Sequence, residues 1–135
     1  MIEISTDPAR IDHEVIWRYL SSEAYWGRTR TREEVDSQVD QSWRLVGAYD
    51  DGALVGFARA LSDGIGLAYL ADVFVLPSHQ GQGIAQRMLD ELIENGPGRD
   101  IRWVLFTRDA HTLYEKFGFV PPDDTAMVRP ARERT

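Results

Sequence analysis

The segment Val75-Leu76-Pro77-Ser78-His79-Gln80-Gly81-Gln82-Gly83-Ile84-Ala85 limits the fold of this chain more than any other. A strand pattern stops at Pro77, two glycines permit a tight turn, and a helix begins at once. Ile84, Ala85, Met88, Leu89, Leu92 and Ile93 recur at the spacing of one helix face. Gly96-Pro97-Gly98 ends that helix. Residues 101–107 are nearly all apolar, which predicts a strand covered on both faces. Strand, helix and strand over residues 67–107 imply a right-handed parallel crossover.

Upstream the pattern is antiparallel. Residues 43–49, 53–61 and 67–76 read as strands, joined by turns at Asp50-Asp51-Gly52 and Asp63-Gly64. Residues 2–5 alternate as a further strand, broken by Asp7-Pro8. Val15, Ile16, Tyr19 and Leu20 predict a helix over 12–20. Thr31 and Glu34 form a capping box for a helix reaching Asp40. Its apolar stripe, Val35 and Val39, is thin, which predicts a peripheral helix. Near the end, Asp109 is placed to cap a short helix over 110–117 that stops at Gly118. Residues 119–120 and 126–128 are expected as closing strands. The sum is one α/β (α+β) domain over residues 1–135, with a mixed, mostly antiparallel sheet flanked by helices.

Composition narrows the function. At 43% hydrophobic and 10% aromatic residues, the chain matches a folded domain rather than a disordered tail. No apolar run is long enough to suggest a membrane span, and no signal peptide is evident at the N-terminus; a cytoplasmic protein is expected. The absence of cysteine excludes disulfides, thiolate metal sites and a cysteine nucleophile. His13, His79 and His111 lack ligand spacing, so no metal is expected. A net charge of −7 argues against general nucleic-acid binding. It suits a cationic acceptor, though solubility explains it equally well.

The glycine turn can aim several backbone N–H groups at one point, where the helix dipole adds positive potential. Such a turn suits a phosphate or diphosphate. It lacks the Gly-Lys-Ser/Thr ending of a Walker loop, and Gln86 breaks a G-x-G-x-x-G pattern. A plain strand–helix turn remains the alternative on spacing alone.

Gln80-Gly81-Gln82-Gly83-Ile84-Ala85 resembles the Gln/Arg-x-x-Gly-x-Gly/Ala signature of the GCN5-related N-acetyltransferase (GNAT) superfamily. About thirty residues on, Leu113-Tyr114-Glu115-Lys116-Phe117-Gly118-Phe119 resembles that family's second cofactor motif. The resemblance covers about residues 1–130. It implies a central parallel strand pair that splays apart, with acetyl-CoA as the acyl donor. It implies that Phe74 and Val75 pair through their backbone with the pantetheine arm. The N–H groups of Gln80, Gly81, Gln82, Gly83, Ile84 and Ala85 would receive the diphosphate. Thr107 and Asp109 fall where the family often carries an asparagine that contacts pantetheine; here Asp109 reads rather as a helix cap.

Direct acyl transfer needs a neutral amine, a stabilised oxyanion and a protonated leaving thiolate. The resemblance makes Tyr114 the general acid and a backbone N–H near Val75 the oxyanion donor; core packing is the other reading of Tyr114. Asp72, alone in an apolar strand, could carry a raised pKa and act as base. It could equally face solvent or hold a neighbouring loop. Tyr69 or a water chain are further candidates. The resemblance sets acceptor selection in the first third of the chain, at Tyr25, Trp26, Arg28, Arg30 and Trp17, with core packing favoured for Trp17. Aromatics can cage a cation and arginines can clamp a carboxylate, so a small-molecule or peptide amine is expected. A homodimer is compatible with the resemblance. Two other readings stay open: a non-catalytic acyl-CoA-binding or regulatory module, and an acyltransferase using a longer acyl-CoA.

Overall fold

Among the described residues, five strands follow one another across a single sheet in chain order. The computed structural model describes residues 1–24 and 29–132. The strands are β1 (Ile2–Ser5), β2 (Arg44–Asp50), β3 (Ala53–Ser62), β4 (Leu67–Val75) and β5 (Arg102–Val104). β1 to β4 are antiparallel neighbours, and β4 and β5 are parallel. The turn between β2 and β3 places Asp51 and Gly52 at φ of 50° and 87°. Positive φ at both central residues is what a tight right-twisted hairpin requires.

One face of the sheet is covered by α1 (His13–Ser22) and α2 (Arg32–Asp40). Asp12 caps α1 by accepting the N–H groups of Glu14 and Val15. Thr31 and Glu34 form the expected reciprocal box at α2. Ile16 and Leu20 are fully buried against Leu45, Phe57 and Phe74, each contributing about 1.5–3 kcal/mol by its removal from water. Val35 and Val39 are also almost fully buried. The thin stripe of α2 therefore marks a narrow contact, buried in the cluster it shares with α1 and the sheet, rather than a loosely attached helix.

The opposite face carries α3 (Ile84–Leu89), continued by a turn of π-helix over Asp90–Glu94. Ile84, Met88 and Leu89, with Leu92 and Ile93 from the π turn, pack on Val46, Val55, Ala58 and Leu70.

β4 contains the feature that shapes the site. Phe57 pairs with Phe74 but Arg59 pairs with Ala71, so β4 holds one residue more than β3 across this stretch. Asp72 sits in this bulge at φ 54°. The extra residue reverses the phase of the strand: Leu70 packs toward α3, while Phe74 packs toward α1 and α2. Strict alternation would put both on one face.

Two expected elements differ. β5 is three residues long and only partly buried, because it pairs on one side and only with Leu67, Ala68 and Tyr69. Among the described residues no strand follows Phe119. Pro121 and Pro122 remove two ladder donors there, and Val120 and Met127 remain exposed.

Candidate active site

Beyond Tyr69 the two parallel strands separate. A cleft of about 570 Å³ opens between residues 70–73 of β4 and the segment after β5, with Tyr114 in its wall. A second hollow of about 250 Å³, beside His13, Asp40 and Trp43, shares no lining residue with it.

The free edge of β4 offers backbone groups to this opening. Leu76 N–H donates to Val55 O at 2.8 Å, which fixes the alternation of the strand end. Leu76 and Phe74 turn their backbone groups to β3, and Val73 and Val75 turn theirs to the free edge. The expectation for Phe74 is corrected accordingly: its main chain is committed to Phe57, and its ring stacks on Tyr19 at 4.2 Å. Val73, which the sequence reading passed over, is the second free-edge residue. Gln80 Nε2 donates to Val75 O at 3.0 Å, leaving the N–H of Val75 as the group this residue offers.

Downstream of β4 the chain enters the glycine turn. His79 bonds Asp50 through Nε2 at 2.8 Å and Ser78 Oγ through Nδ1 at 2.7 Å, anchoring the turn to the end of β2. Gly81 and Gly83 adopt φ of 79° and 76°, and nothing lies within 4 Å of where a Cβ would stand on either. Among the described residues, the N–H groups of Gln80 to Ala85 donate to no protein acceptor. A run of N–H groups without protein acceptors at the start of α3, with open space at both glycines, fits a diphosphate.

Tyr114 is placed by α4 (His111–Glu115) and the turn that ends it. Gly118 at φ 85° lets its own N–H donate to Glu115 O and that of Phe119 to Tyr114 O. These are the two bonds of a Schellman stop, and the accompanying apolar contact is the edge of Phe119 on Tyr114 at 5.9 Å. The second motif is thus a device that ends a helix and holds one tyrosine ring, 8% exposed, against the cleft. Gly118→Val is expected to lower the melting temperature by several degrees, since a β-branched residue resists positive φ. The loss of order at Tyr114 would be read by NMR of its ring. The start of α4 departs from expectation. Asp109 does not cap it; Thr107 Oγ1 accepts the N–H of Ala110 at 3.2 Å instead.

Asp72 has a setting opposite to the one expected of a base. Its Oδ1 accepts Arg30 Nη2 at 2.8 Å, and its Oδ2 accepts Arg30 Nη1 at 2.9 Å and Arg59 Nε at 2.8 Å. Burial alone would raise its pKa, but the hydrogen bonds and charges of the two guanidiniums outweigh it and hold the carboxyl below its ordinary value. Arg30 also donates to Gln38 of α2 at 2.6 Å. Arg30 therefore lines the cleft as a tied residue, with its fork occupied. Of the other acceptor residues expected, Tyr25, Trp26 and Arg28 lie outside the described residues, and Trp17 packs against the α1 and α2 core. Arg59 was missed. Its signal was a lone charge inside the apolar run of β3.

Known proteins share this fold. A family model described as the acetyltransferase (GNAT) domain matches residues 41–121. A Gibberella zeae protein classed with the acetyltransferases is 29% identical over 133 residues, covering 84% of this chain and 75% of its own. A solved structure from Xanthomonas campestris pv. campestris, described as belonging to the GNAT family, is 36% identical, with a TM-score of 0.90 over 97% of this chain and 94% of that one. A Clostridium acetobutylicum protein solved with acetyl-CoA shares the fold at a TM-score of 0.65 and 16% identity, covering 96% of each chain. The chain belongs to the GNAT family and is an N-acetyltransferase.

Proposed function

We propose that the chain moves an acetyl group from acetyl-CoA directly to an amine, with Tyr114 as the general acid. The observation that carries this reading is the joining of three features along one path: free donors over Gln80 to Ala85, a free strand edge at Val73 and Val75, and Tyr114 in the wall of the cleft where β4 and β5 part. The glycine turn would hold the diphosphate and the edge of β4 the pantetheine amides. Acetyl-CoA, when bound, supplies an activated thioester carbonyl.

The remaining work falls to this chain's own groups. One N–H of this free edge would donate to the developing negative charge at the carbonyl oxygen, the other serving the pantetheine arm. The phenol of Tyr114 holds a proton for the departing sulfur and regains one from solvent. The acceptor nitrogen forms its bond to the acyl carbon as the carbon–sulfur bond breaks, and its surplus proton leaves to water in the open cleft. Asp72 acts here as a positioning residue, fixing Arg30 and Arg59. With no cysteine in the chain, a thiol-linked acyl-enzyme is excluded.

Tyr114→Phe is expected to lower kcat by about 100-fold, within the usual range for a lost general acid, while coenzyme A affinity by calorimetry stays within a factor of three or so. Unchanged kcat would remove Tyr114 from the role. Tight coenzyme A binding by the native protein with no turnover over a broad amine panel would favour a binding module.

A further inference from the structure

Arg59 is the least explained charged group in the protein. It rises from the middle of β3, its side chain is 6% exposed, and it lines the cleft. Its Nε is used by Asp72. Its Nη1 and Nη2 donate to no protein atom among the described residues, yet neither is sealed in the interior as Arg30 Nε is. A guanidinium that is more than nine-tenths buried in the cleft wall, and whose two outer nitrogens donate to no described protein atom, presents the flat double donor that matches a carboxylate.

The charge around it points the same way. Within this network one carboxylate, Asp72, serves two guanidiniums. This surplus of positive charge sits in a chain whose net charge is −7. A buried cation without a full complement is costly unless something brings the missing anion. The phosphates of the acyl donor do not supply it. Their seat is the glycine turn, none of whose residues lines the cleft, and Arg59 pairs opposite Ala71, four residues before Val75.

Resting on the acetyltransferase reading above, we propose that the acceptor is a small amine that carries its own carboxylate, and that Arg59 is the seat of that carboxylate. The amine then lies toward Tyr114 while the fork of Arg59 holds the far end. Arg30 and Asp72 keep the fork in place. This reverses the cationic acceptor that the overall charge suggested.

Matched substrates test it. Initial rates with acetyl-CoA are measured on amino acids, on their carboxamides and on aminoalkyl phosphonates of the same length. The acids are expected to show kcat/KM about 10- to 100-fold above the carboxamides, carried mainly by KM. Arg59→Lys keeps a positive charge beside Asp72 but loses the fork, and is expected to shrink the acid-to-carboxamide ratio toward one, with coenzyme A affinity retained. Should that variant not fold, the native protein still decides. Its melting temperature is expected to rise with about 10 mM of the acids and not with the carboxamides. Equal treatment of acids and carboxamides, preference for the phosphonates, or fastest turnover of a polyamine would overturn the proposal. Coenzyme A calorimetry separates the two levels. Binding of the acids without coenzyme A affinity would leave the carboxylate seat standing and remove the transferase reading. Coenzyme A binding without discrimination among acceptors would do the reverse.

Discussion

Gly83→Leu is expected to abolish measurable coenzyme A binding, with an affinity loss above about 100-fold. The added side chain would occupy open space in a turn whose N–H groups have no protein acceptor, the space proposed for a diphosphate. Losing two hydrogen bonds to a charged acceptor, at about 1.5–3 kcal/mol each, accounts for that factor. The backbone cost needs its own control, because Gly83 stands at φ 76°. Gly52 stands at φ 87°, also with nothing within 4 Å of its Cβ position, in a hairpin turn with nothing to bind. Gly52→Leu should therefore show a comparable fall in melting temperature with unchanged coenzyme A affinity. Equal affinity loss in both variants would mean that strain, not the loss of these donors, explains the effect.

Asp72→Ala is expected to destabilise the protein by about 3–5 kcal/mol, because it leaves two buried guanidiniums without their shared carboxylate. For a chain of this size that is a fall in melting temperature of about 10 °C or more. Asp72→Asn should cost less, since asparagine tolerates the positive φ of the bulge and still accepts a hydrogen bond. The pH dependence follows from the direction of the shift. The folded carboxyl titrates below its ordinary 3.8, so its contribution is complete above that value and is lost as pH falls through the lower folded pKa. Melting measured from pH 6 down to about pH 3 should steepen below pH 4 in the native protein and less so in Asp72→Asn. An Asp72→Asn protein that melts normally but loses the acidic limb of its pH–rate profile would restore the role of base and remove the structural one.

The elements and the turn were legible because each depends on local chemistry. Thr31 with Glu34, the pair Asp51-Gly52, and the stripe from Ile84 to Ile93 act within a few residues of one another. The setting of Asp72 was not legible. Its pKa is decided by Arg30 and Arg59, 42 and 13 residues away in sequence, brought together by a bulge that periodicity cannot reveal. Phe74 was misassigned for the same reason: which backbone groups are free depends on which partner residue they meet. The cap at Asp109 failed because Thr107, two residues earlier, bonds the same turn. The closing strands failed because apolar alternation needs an available neighbouring edge as well as a pattern.

The bulge in β4 lets one strand serve two masters. Its first half answers to β5, and its second half, rephased by a single residue, borders the open cleft. Substitutions along it should be tolerated far better than a change in its length. Deleting one residue anywhere between Leu70 and Phe74 would swap inside for outside in everything that follows, and any evolutionary path among such chains is expected to conserve that count while its side chains drift.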